Sequence, residues 1–322
     1  ATAAFPPHDY SIWMWIALVP WLFAISRCHS AKEAAAQGFW LDFLLGLCWG
    51  TWLPASVSEY LGVPFFMGLI VLALQSVIHQ LHLIFFAPLF FRLLNTGIPF
   101  GSLHIAVAAL AFCALDWLLP NIFQHTLGWA LHGSSSFVQL TEIGGPRFLT
   151  FIILVGNLGL FTATNGALAT REPLRRWLPA LGFTLCIVGG SWGYGALRYE
   201  QVSAAIEAPL RTLQVGIVQG NISNDVRRRW SDGDPEAARE TLKLYIGETE
   251  KLLGLTGATR PNVVVWPETS YPGIFRRPEN EEQAQLNVAL DQYIAERGLP
   301  FIFGAYDRED RTDRRVLHNA IF

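Results

Sequence analysis

The sequence predicts a multi-pass α-helical membrane domain followed by a water-soluble α/β domain. Of its 23 Lys and Arg and 26 Asp and Glu residues, only 8 of each kind fall within residues 1–200, so most charges lie in the last 122 residues. The first part contains several apolar stretches near the roughly 20 residues that a helix needs to cross a bilayer. The second part alternates short apolar runs with amphipathic segments. We therefore predict a transmembrane domain at 1–200 and a soluble domain at 201–322.

About six membrane spans are predicted within the first domain. Their approximate ranges are 10–26, 39–55, 64–91, 98–119, 148–169 and 177–197. Ten of the twelve tryptophans precede residue 200, several near the ends of these spans, as expected of side chains at a membrane interface.

The distribution of basic residues predicts the orientation of the spans. Alternate connecting segments contain Arg27, Lys32, Arg92, Arg171, Arg175 and Arg176. The intervening segments, 56–63 and 120–146, contain no Lys or Arg. By the positive-inside rule the basic set faces the cytoplasm, so the sixth span delivers the soluble domain to the extracytoplasmic side, despite Arg198 at its end.

The composition argues against several classes of function. A net charge of −3 shows no basic excess for nucleic acid. The four cysteines (Cys28, Cys48, Cys113 and Cys186) lie scattered in the apolar part, which predicts neither a disulfide framework nor a metal centre. The run "GIVQG" lacks the pattern of a phosphate-binding loop, so no cofactor is expected. With no initiator Met and no visible signal peptide, the chain is expected to begin inside a longer one.

Elements of the soluble part follow from its periodicity. "RTLQVGIVQ" alternates Leu213, Val215 and Ile217 and predicts a half-buried strand, while "NVVVW" and "LPFIFGAY" predict two more. "DPEAARETLKLYIGETEKLLG" and "EEQAQLNVALDQYIAERG" have helical spacing, with Gly298 as a C-cap. Strands alternating with helices predict an α/β fold.

Glu268 is the sharpest candidate for chemistry. It follows a buried strand at Trp266 and Pro267, and the fixed backbone of proline aims the next side chain from the strand end. A partly desolvated carboxylate at such a place can serve as a general base. The alternative is a solvated glutamate in a turn.

Several motifs together resemble the apolipoprotein N-acyltransferase family. They are the apolar spans, the opening "AFPPHDYSIWMWIALVPWL", then "LQVGIVQGNIS", "RRRW", "VVVWPETSYPG", "FIFGAYDRED" and "VLHNAIF". The resemblance implies an integral inner-membrane enzyme whose extracytoplasmic domain is a nitrilase-like α/β sandwich, of which the N-terminal half is present. It also implies that Glu268 is the base of a Glu-Lys-Cys triad.

The implied reaction is an acyl transfer in two steps. A cysteine thiolate takes an acyl chain from a phospholipid as a thioester, and the α-amino group of a diacylglyceryl-cysteine at an apolipoprotein's N-terminus then receives it. The sequence departs from this pattern, since its lysines are Lys32, Lys243 and Lys251 and its last cysteine is Cys186. The family's Lys and Cys follow the segment that "VLHNAIF" resembles. We therefore expect a fragment lacking both ends, inactive by itself.

Four further residues are predicted to contact substrate by the same resemblance. Trp230 matches an aromatic position near the family's active site, with a surface tryptophan as the alternative. Gln219 and Asn221 match polar positions at a strand end that can also be structural. Tyr271, three residues after Glu268, is predicted to orient it or simply to pack in the loop.

Polar residues inside predicted spans are functional hypotheses because they are costly to bury. They are Asp42, His79, His82, His104 and Asp116. His79 and His82, spaced i and i+3, favour interhelical hydrogen bonds over a metal. Asp116-Trp117 matches a pair in the family, but Leu119 stands where an arginine is expected and Phe123-Gln124 where Pro-Trp is expected. These departures put the membrane-side substrate contacts in question.

Two rival functions fit part of the pattern. A membrane-tethered nitrilase-like amidase would share Glu268 but act on a small amide. A transporter or non-catalytic membrane scaffold would predict an internal inverted repeat and a charged pathway, and the sequence shows neither.

Overall fold

A computed structural model of the protein describes residues 2–6, 8–121, 123, 125–169, 173–209, 211–255, 260–310 and 315–322. Its contacts divide the chain into two compact units. The first contains Ala1–Ala55 and Phe65–Ala208, and the second contains Ser56–Pro64 and Pro209–Phe322. The predicted boundary at residue 200 falls inside a helix that continues to Glu207.

The first unit is helical. Its α-helices are α1 (Val19–Ser26), α2 (Ala31–Trp49), α3 (Leu53–Leu61, which runs on into the second unit), α4 (Phe65–Val77), α5 (His82–Leu94), α6 (Ser102–Leu118), α7 (Ser135–Val138), α8 (Thr141–Thr164) and α9 (Leu174–Glu207). Short 3₁₀ turns lie at Thr2–Ala4, Ser11–Trp15 and Leu127–Leu131, and a π turn at Asn165–Ala169. Aromatic side chains such as Phe86, Phe112 and Phe161 fill the core.

Three helical segments are long and apolar enough to cross a membrane, judged by length and composition. They are Phe65–Leu94, Thr141–Leu168 and Leu174–Glu207, and Ser11–Ser26 and Ser102–Leu118 are shorter apolar helices. This architecture fits a membrane domain. The figure of six spans stays a prediction.

The predicted span at 64–91 is interrupted rather than continuous. α4 ends at Val77 and α5 begins at His82, so the break leaves backbone N–H groups without helical acceptors. Asp42 on α2 accepts the N–H of Gln80 at 2.6 Å. A hydropathy pattern cannot show this break, because the carboxylate that stabilises it comes from another helix.

The segment expected as an aqueous loop at 120–146 also packs into the first unit. Leu127, Ala130 and Leu131 are buried, and the N–H of Gly128 donates to Thr150 Oγ1 at 2.8 Å. Irregular backbone at such a place is stable only when its polar groups find partners inside the protein.

Helix α9 is much longer than its predicted span of 177–197. At 1.5 Å per residue its 34 residues extend about 51 Å, more than the ~30 Å hydrocarbon core. Near the C-terminal part of α9, Arg198 Nε pairs with Glu142 Oε1 at 2.9 Å, and Tyr194 donates to the same oxygen at 2.7 Å. The charge of Arg198, which opposed the predicted orientation, is thus paired.

The second unit is an α/β arrangement with the predicted order of elements. Strands β1 (Val215–Ile217), β2 (Val263–Val265) and β3 (Phe301–Ile302) form a parallel sheet in that order, and β4 (Gly304–Asp310) pairs antiparallel with β5 (Arg315–Ile321). The helices are α10 (Asn224–Ser231), α11 (Pro235–Leu253) and α12 (Glu281–Arg297). Gly298 ends α12 with φ +62°, the left-handed C-cap that was predicted.

β1 is half-buried, as predicted, and the covered face is the one opposite to Val215 and Ile217. Val215 and Ile217 are 48% and 75% exposed, whereas Gly216 and Val218 are buried. A Cβ at residue 216 would lie only 2.4 Å from a Leu252 methyl on α11, so glycine lets the helix approach the strand closely. β1 is apolar on both faces, and alternation alone cannot say which face a helix covers.

Candidate active site

The candidate site begins with the tryptophan that anchors the end of β2. Trp266 is buried, stacks on Tyr245 of α11 with ring centroids 5.1 Å apart, and donates through Nε1 to Thr249 Oγ1 at 2.9 Å. Pro267 follows, and Glu268 emerges at the carboxyl end of the parallel strand. Side chains at that end of an α/β sheet commonly point into a ligand crevice.

Glu268 lies in a cleft and receives one hydrogen bond. Its side chain is exposed, and Asn319 Nδ2 on β5 donates to Glu268 Oε1. The cleft measures about 370 Å³, and its other lining residues are Val265, Trp266, Ile302, Phe303, Gly304, Ala320 and Ile321. We expected the Glu268 carboxylate to be partly desolvated. Among the described residues, however, none covers it, and its side chain is exposed to solvent.

The backbone around Glu268 is held tightly. Thr269 has φ +53°, a left-handed conformation that a β-branched residue seldom adopts and that costs about 1–3 kcal/mol. Gly304 packs against it so closely that a Cβ at residue 304 would lie 2.6 Å from the Thr269 nitrogen. The Gly304 N–H donates to the Pro267 carbonyl at 3.3 Å, and the Tyr271 N–H donates to the Gly304 carbonyl at 3.1 Å. A strained residue beside a candidate base supports a functional role for this turn.

Tyr271 points away from Glu268 and into the domain core. It is fully buried, and its hydroxyl donates to Asn287 Oδ1 and to the Gln283 carbonyl on α12. Burial raises the pKa of this phenol. These contacts fit loop packing, the alternative stated for this residue.

Gln219 and Asn221 lie exposed after β1, and neither lines the Glu268 cleft. Asn221 has φ +49°, and between the two residues Gly220 packs directly on the ring of Tyr245. Gln219 and Asn221 are therefore part of the turn that follows β1. A direct role for either side chain remains a prediction.

Trp230 lines a different cleft. It lies half-buried in α10, beside a cavity of about 450 Å³ whose walls include Asp234, Ala238, Ile274 and Tyr306. This cleft and the Glu268 cleft share no lining residue. The described residues thus do not bring Trp230 and Glu268 together.

Polar residues of the first unit form defined contacts. His79 Nδ1 lies 2.9 Å from Gln75 Nε2, and His82 Nδ1 lies 3.7 Å from Asp116 Oδ1. Asp116 Oδ2 also accepts a hydrogen bond from Arg147 Nε at 2.8 Å. Arg147 is thus a cation paired with Asp116, and position 119 remains a leucine where the family pattern has an arginine. Gln124 lies outside the described residues.

Two groups of contacts were not predicted from the sequence. Asn319 lies inside the motif "VLHNAIF", but nothing in the spacing indicates that it reaches Glu268, 51 residues earlier. Buried Asn157 on α8 binds the Leu18 N–H and the Met14 carbonyl at 3.0 and 2.8 Å. Nothing in the sequence around Asn157 distinguishes it from other residues of the predicted helix. Both contacts depend on tertiary packing between distant segments.

Comparison with known proteins agrees with the resemblance. The model of the apolipoprotein N-acyltransferase N-terminal domain matches residues 1–159. A relative named apolipoprotein N-acyltransferase from Gloeobacter violaceus is 28% identical over 330 residues, covering 97% of this chain and 55% of the relative. Relatives of the same name from Azotobacter vinelandii and Geobacter metallireducens are 31% and 27% identical, each covering 85% of this chain and 48% and 50% of themselves.

The chain thus spans about half the length of the curated relatives that it matches. The matches to the relatives run through both units, while the domain model matches the first. Together with the apolar helices and the α/β unit, they show that this chain is similar to apolipoprotein N-acyltransferases over 85% to 97% of its length.

Proposed function

We propose that the chain forms part of a membrane-bound enzyme that transfers an acyl chain from a phospholipid to the N-terminal diacylglyceryl-cysteine of apolipoproteins, with Glu268 as general base. The observation that carries the proposal is the Glu268 carboxylate at the carboxyl end of β2, in a cleft and oriented by a neighbouring amide. Glu268 also lies in an α/β unit that follows apolar helices in the chain, as an enzyme acting on membrane lipids requires.

In the first step Glu268 takes the proton of a cysteine thiol, and the thiolate attacks the ester carbonyl of the phospholipid. A lysine stabilises the oxyanion. As the tetrahedral intermediate collapses, Glu268 returns the proton to the departing oxygen, which releases a lysophospholipid and leaves a thioester. In the second step the α-amine of the acceptor attacks this thioester and gives its proton to Glu268, the amide forms, and the cysteine sulfur leaves and regains the proton. The cysteine and lysine belong to the full-length protein, since the last cysteine of these 322 residues is Cys186 and no lysine follows Lys251.

The domain predicted at 201–322, whose residues from Pro209 onward lie in the second unit, is proposed to be the N-terminal half of a nitrilase-like sandwich. Helices α11 and α12 pack on one face of the parallel sheet through Tyr245 and Leu290. Side chains on β1, β3 and β5, among them Ile217, Ile302 and Ile321, are 43% to 80% exposed. An apolar sheet surface of this kind fits a second layer supplied by the rest of the protein.

A membrane location suits these substrates. Both the acyl donor and the acceptor are lipids anchored in a bilayer, so a domain carried on apolar helices works where its substrates reside. The basic residues of alternate connections, Arg27 and Arg92 among them, favour an inner-membrane protein with the second unit on the periplasmic side. The paired charge of Arg198 is consistent with that orientation.

The rival amidase shares the Glu268 geometry and differs in substrate. Full-length protein incubated with phospholipid carrying a labelled acyl chain separates the two. The proposed enzyme becomes acylated by one chain and releases lysophospholipid, and added diacylglyceryl peptide discharges the label as an amide. An amidase leaves the phospholipid intact and releases ammonia from small amides. A scaffold or transporter does neither, so absence of the acylated protein contradicts the proposal.

A further inference from the structure

We propose that Asn319 is a positioning residue for Glu268, holding its carboxylate in the orientation from which it takes the thiol proton. The inference rests on the proposed function, because it concerns the same step. Its starting observation is the hydrogen bond from Asn319 Nδ2 to Glu268 Oε1. The motif that contains Asn319 gave no role to this side chain.

The position of Asn319 is fixed by strand register. In the β4–β5 hairpin, Gly304 pairs with Ile321 and Tyr306 pairs with Asn319. Successive residues along a strand point to opposite faces of the sheet, so His318 points away from Glu268. Its Nε2 atom lies 3.1 Å from Glu309 Oε2. The register thus presents the amide of Asn319 to the cleft.

The hairpin is joined to the Glu268 turn at its open end, close to Asn319. The Gly304 N–H donates to the Pro267 carbonyl, and its own carbonyl accepts from the Tyr271 N–H, so Gly304 bridges the two sides of the Glu268 turn. A Cβ at residue 304 would lie 2.7 Å from the Glu268 Cα, which only glycine avoids. Glu268 and Asn319 are therefore carried by backbone segments that are bonded to each other.

The chemistry of the contact suits a general base. An amide N–H on Oε1 removes much of the rotational freedom of an exposed glutamate and leaves Oε2 to accept a proton. Among the described residues that line this cleft, the polar side chains are those of Glu268 and Asn319, together with the indole of Trp266, whose N–H is already bonded to Thr249. Small errors in the placement of a reacting group reduce rates severely.

The test is a double-mutant cycle in the full-length protein. Single-turnover rates of acylation by labelled phospholipid, and the phospholipid concentration at half-saturation, are measured for Asn319→Leu, Glu268→Gln and the double variant. We expect Asn319→Leu to slow acylation by roughly 10- to 100-fold with half-saturation unchanged. In the Glu268→Gln background the same substitution should cause no further loss. The matched control, His318→Gln on the opposite face, should keep the wild-type rate.

The outcomes separate the two ideas. The positioning role is overturned if Asn319→Leu keeps the wild-type rate, or if it slows acylation equally in the wild type and in Glu268→Gln. In either case the rate of Glu268→Gln alone still tests the proposed function. A wild-type rate in Glu268→Gln instead removes Glu268 from the mechanism. A change in half-saturation without a change in rate would make Asn319 a binding residue and contradict the inference.

Discussion

At the residue scale, the buried indole of Trp266 determines how firmly the end of β2 is held. Its N–H donates to Thr249 Oγ1 on α11, and Trp266 lies directly after β2 and two positions before Glu268. Thr249→Val keeps the shape of the side chain but leaves this donor unpaired in the core. We expect a loss of about 1–3 kcal/mol in the free energy of unfolding.

Denaturant or thermal unfolding in detergent measures this loss. The control is Thr241→Val on the same helix, whose hydroxyl donates only to the Ala237 carbonyl one turn earlier. That carbonyl keeps its helical partner, so the control should lose much less. Equal losses in the two variants would show that the indole hydrogen bond contributes little.

A second residue-scale prediction concerns Tyr293. Burial and the hydrogen bond that it donates to Glu250 at 2.6 Å raise its pKa to about 12. Because the folded pKa lies above the unfolded value of about 10, the contact stabilises the fold fully below pH 10. This stabilisation is lost as the pH rises through 12.

Ultraviolet titration of tyrosinate in wild type and Tyr293→Phe tests the shift. The absorbance that disappears in the variant should titrate near pH 12. A difference that titrates near pH 10 would contradict the burial and the bond to Glu250.

Glu250 carries the complementary effect, since the hydrogen bond from Tyr293 and the neighbouring Arg297 lower its pKa. Its contribution is present above its ordinary pKa and falls as the solution is made more acidic.

At the scale of elements, α11 begins at a strong cap. Asp234 Oδ1 accepts from the Glu236 and Ala237 N–H groups, and Oδ2 pairs with Arg229. Asp234→Ala should lower the free energy of unfolding by about 1 kcal/mol. Asp234→Asn keeps an acceptor and loses only the exposed ion pair, so it should lower the free energy of unfolding much less. Denaturant midpoints compare them, and equal losses would assign the effect to the ion pair.

Elements with a strong local signal could be predicted from the sequence. α11, α12 with its Gly298 cap, and the three parallel strands all follow from periodicity and turn residues. The break between α4 and α5 could not be predicted, because Asp42 of another helix stabilises it. Which face of β1 a helix covers could not be predicted for a similar reason, because α11 lies elsewhere in the sequence.

At the scale of the whole molecule, the contrast in charge predicted two parts, and the chain folds into two units with a boundary near residue 208. Composition predicts this division because apolar helices and a charged α/β unit need different surroundings. The candidate site was predictable only in part. Glu268 could be found from a buried strand ending in a carboxylate, whereas Asn319 and Arg147 reach their partners only through the tertiary fold.

The role of Glu268 is tested most directly by mass spectrometry of the full-length protein after incubation with phospholipid. The wild-type protein should gain the mass of one acyl chain in a thioester that hydroxylamine cleaves. In the time that fully acylates the wild type, Glu268→Gln should gain almost none, while keeping a wild-type unfolding transition because the side chain is exposed. Equal acylation of the two proteins would contradict the proposal that Glu268 is the general base.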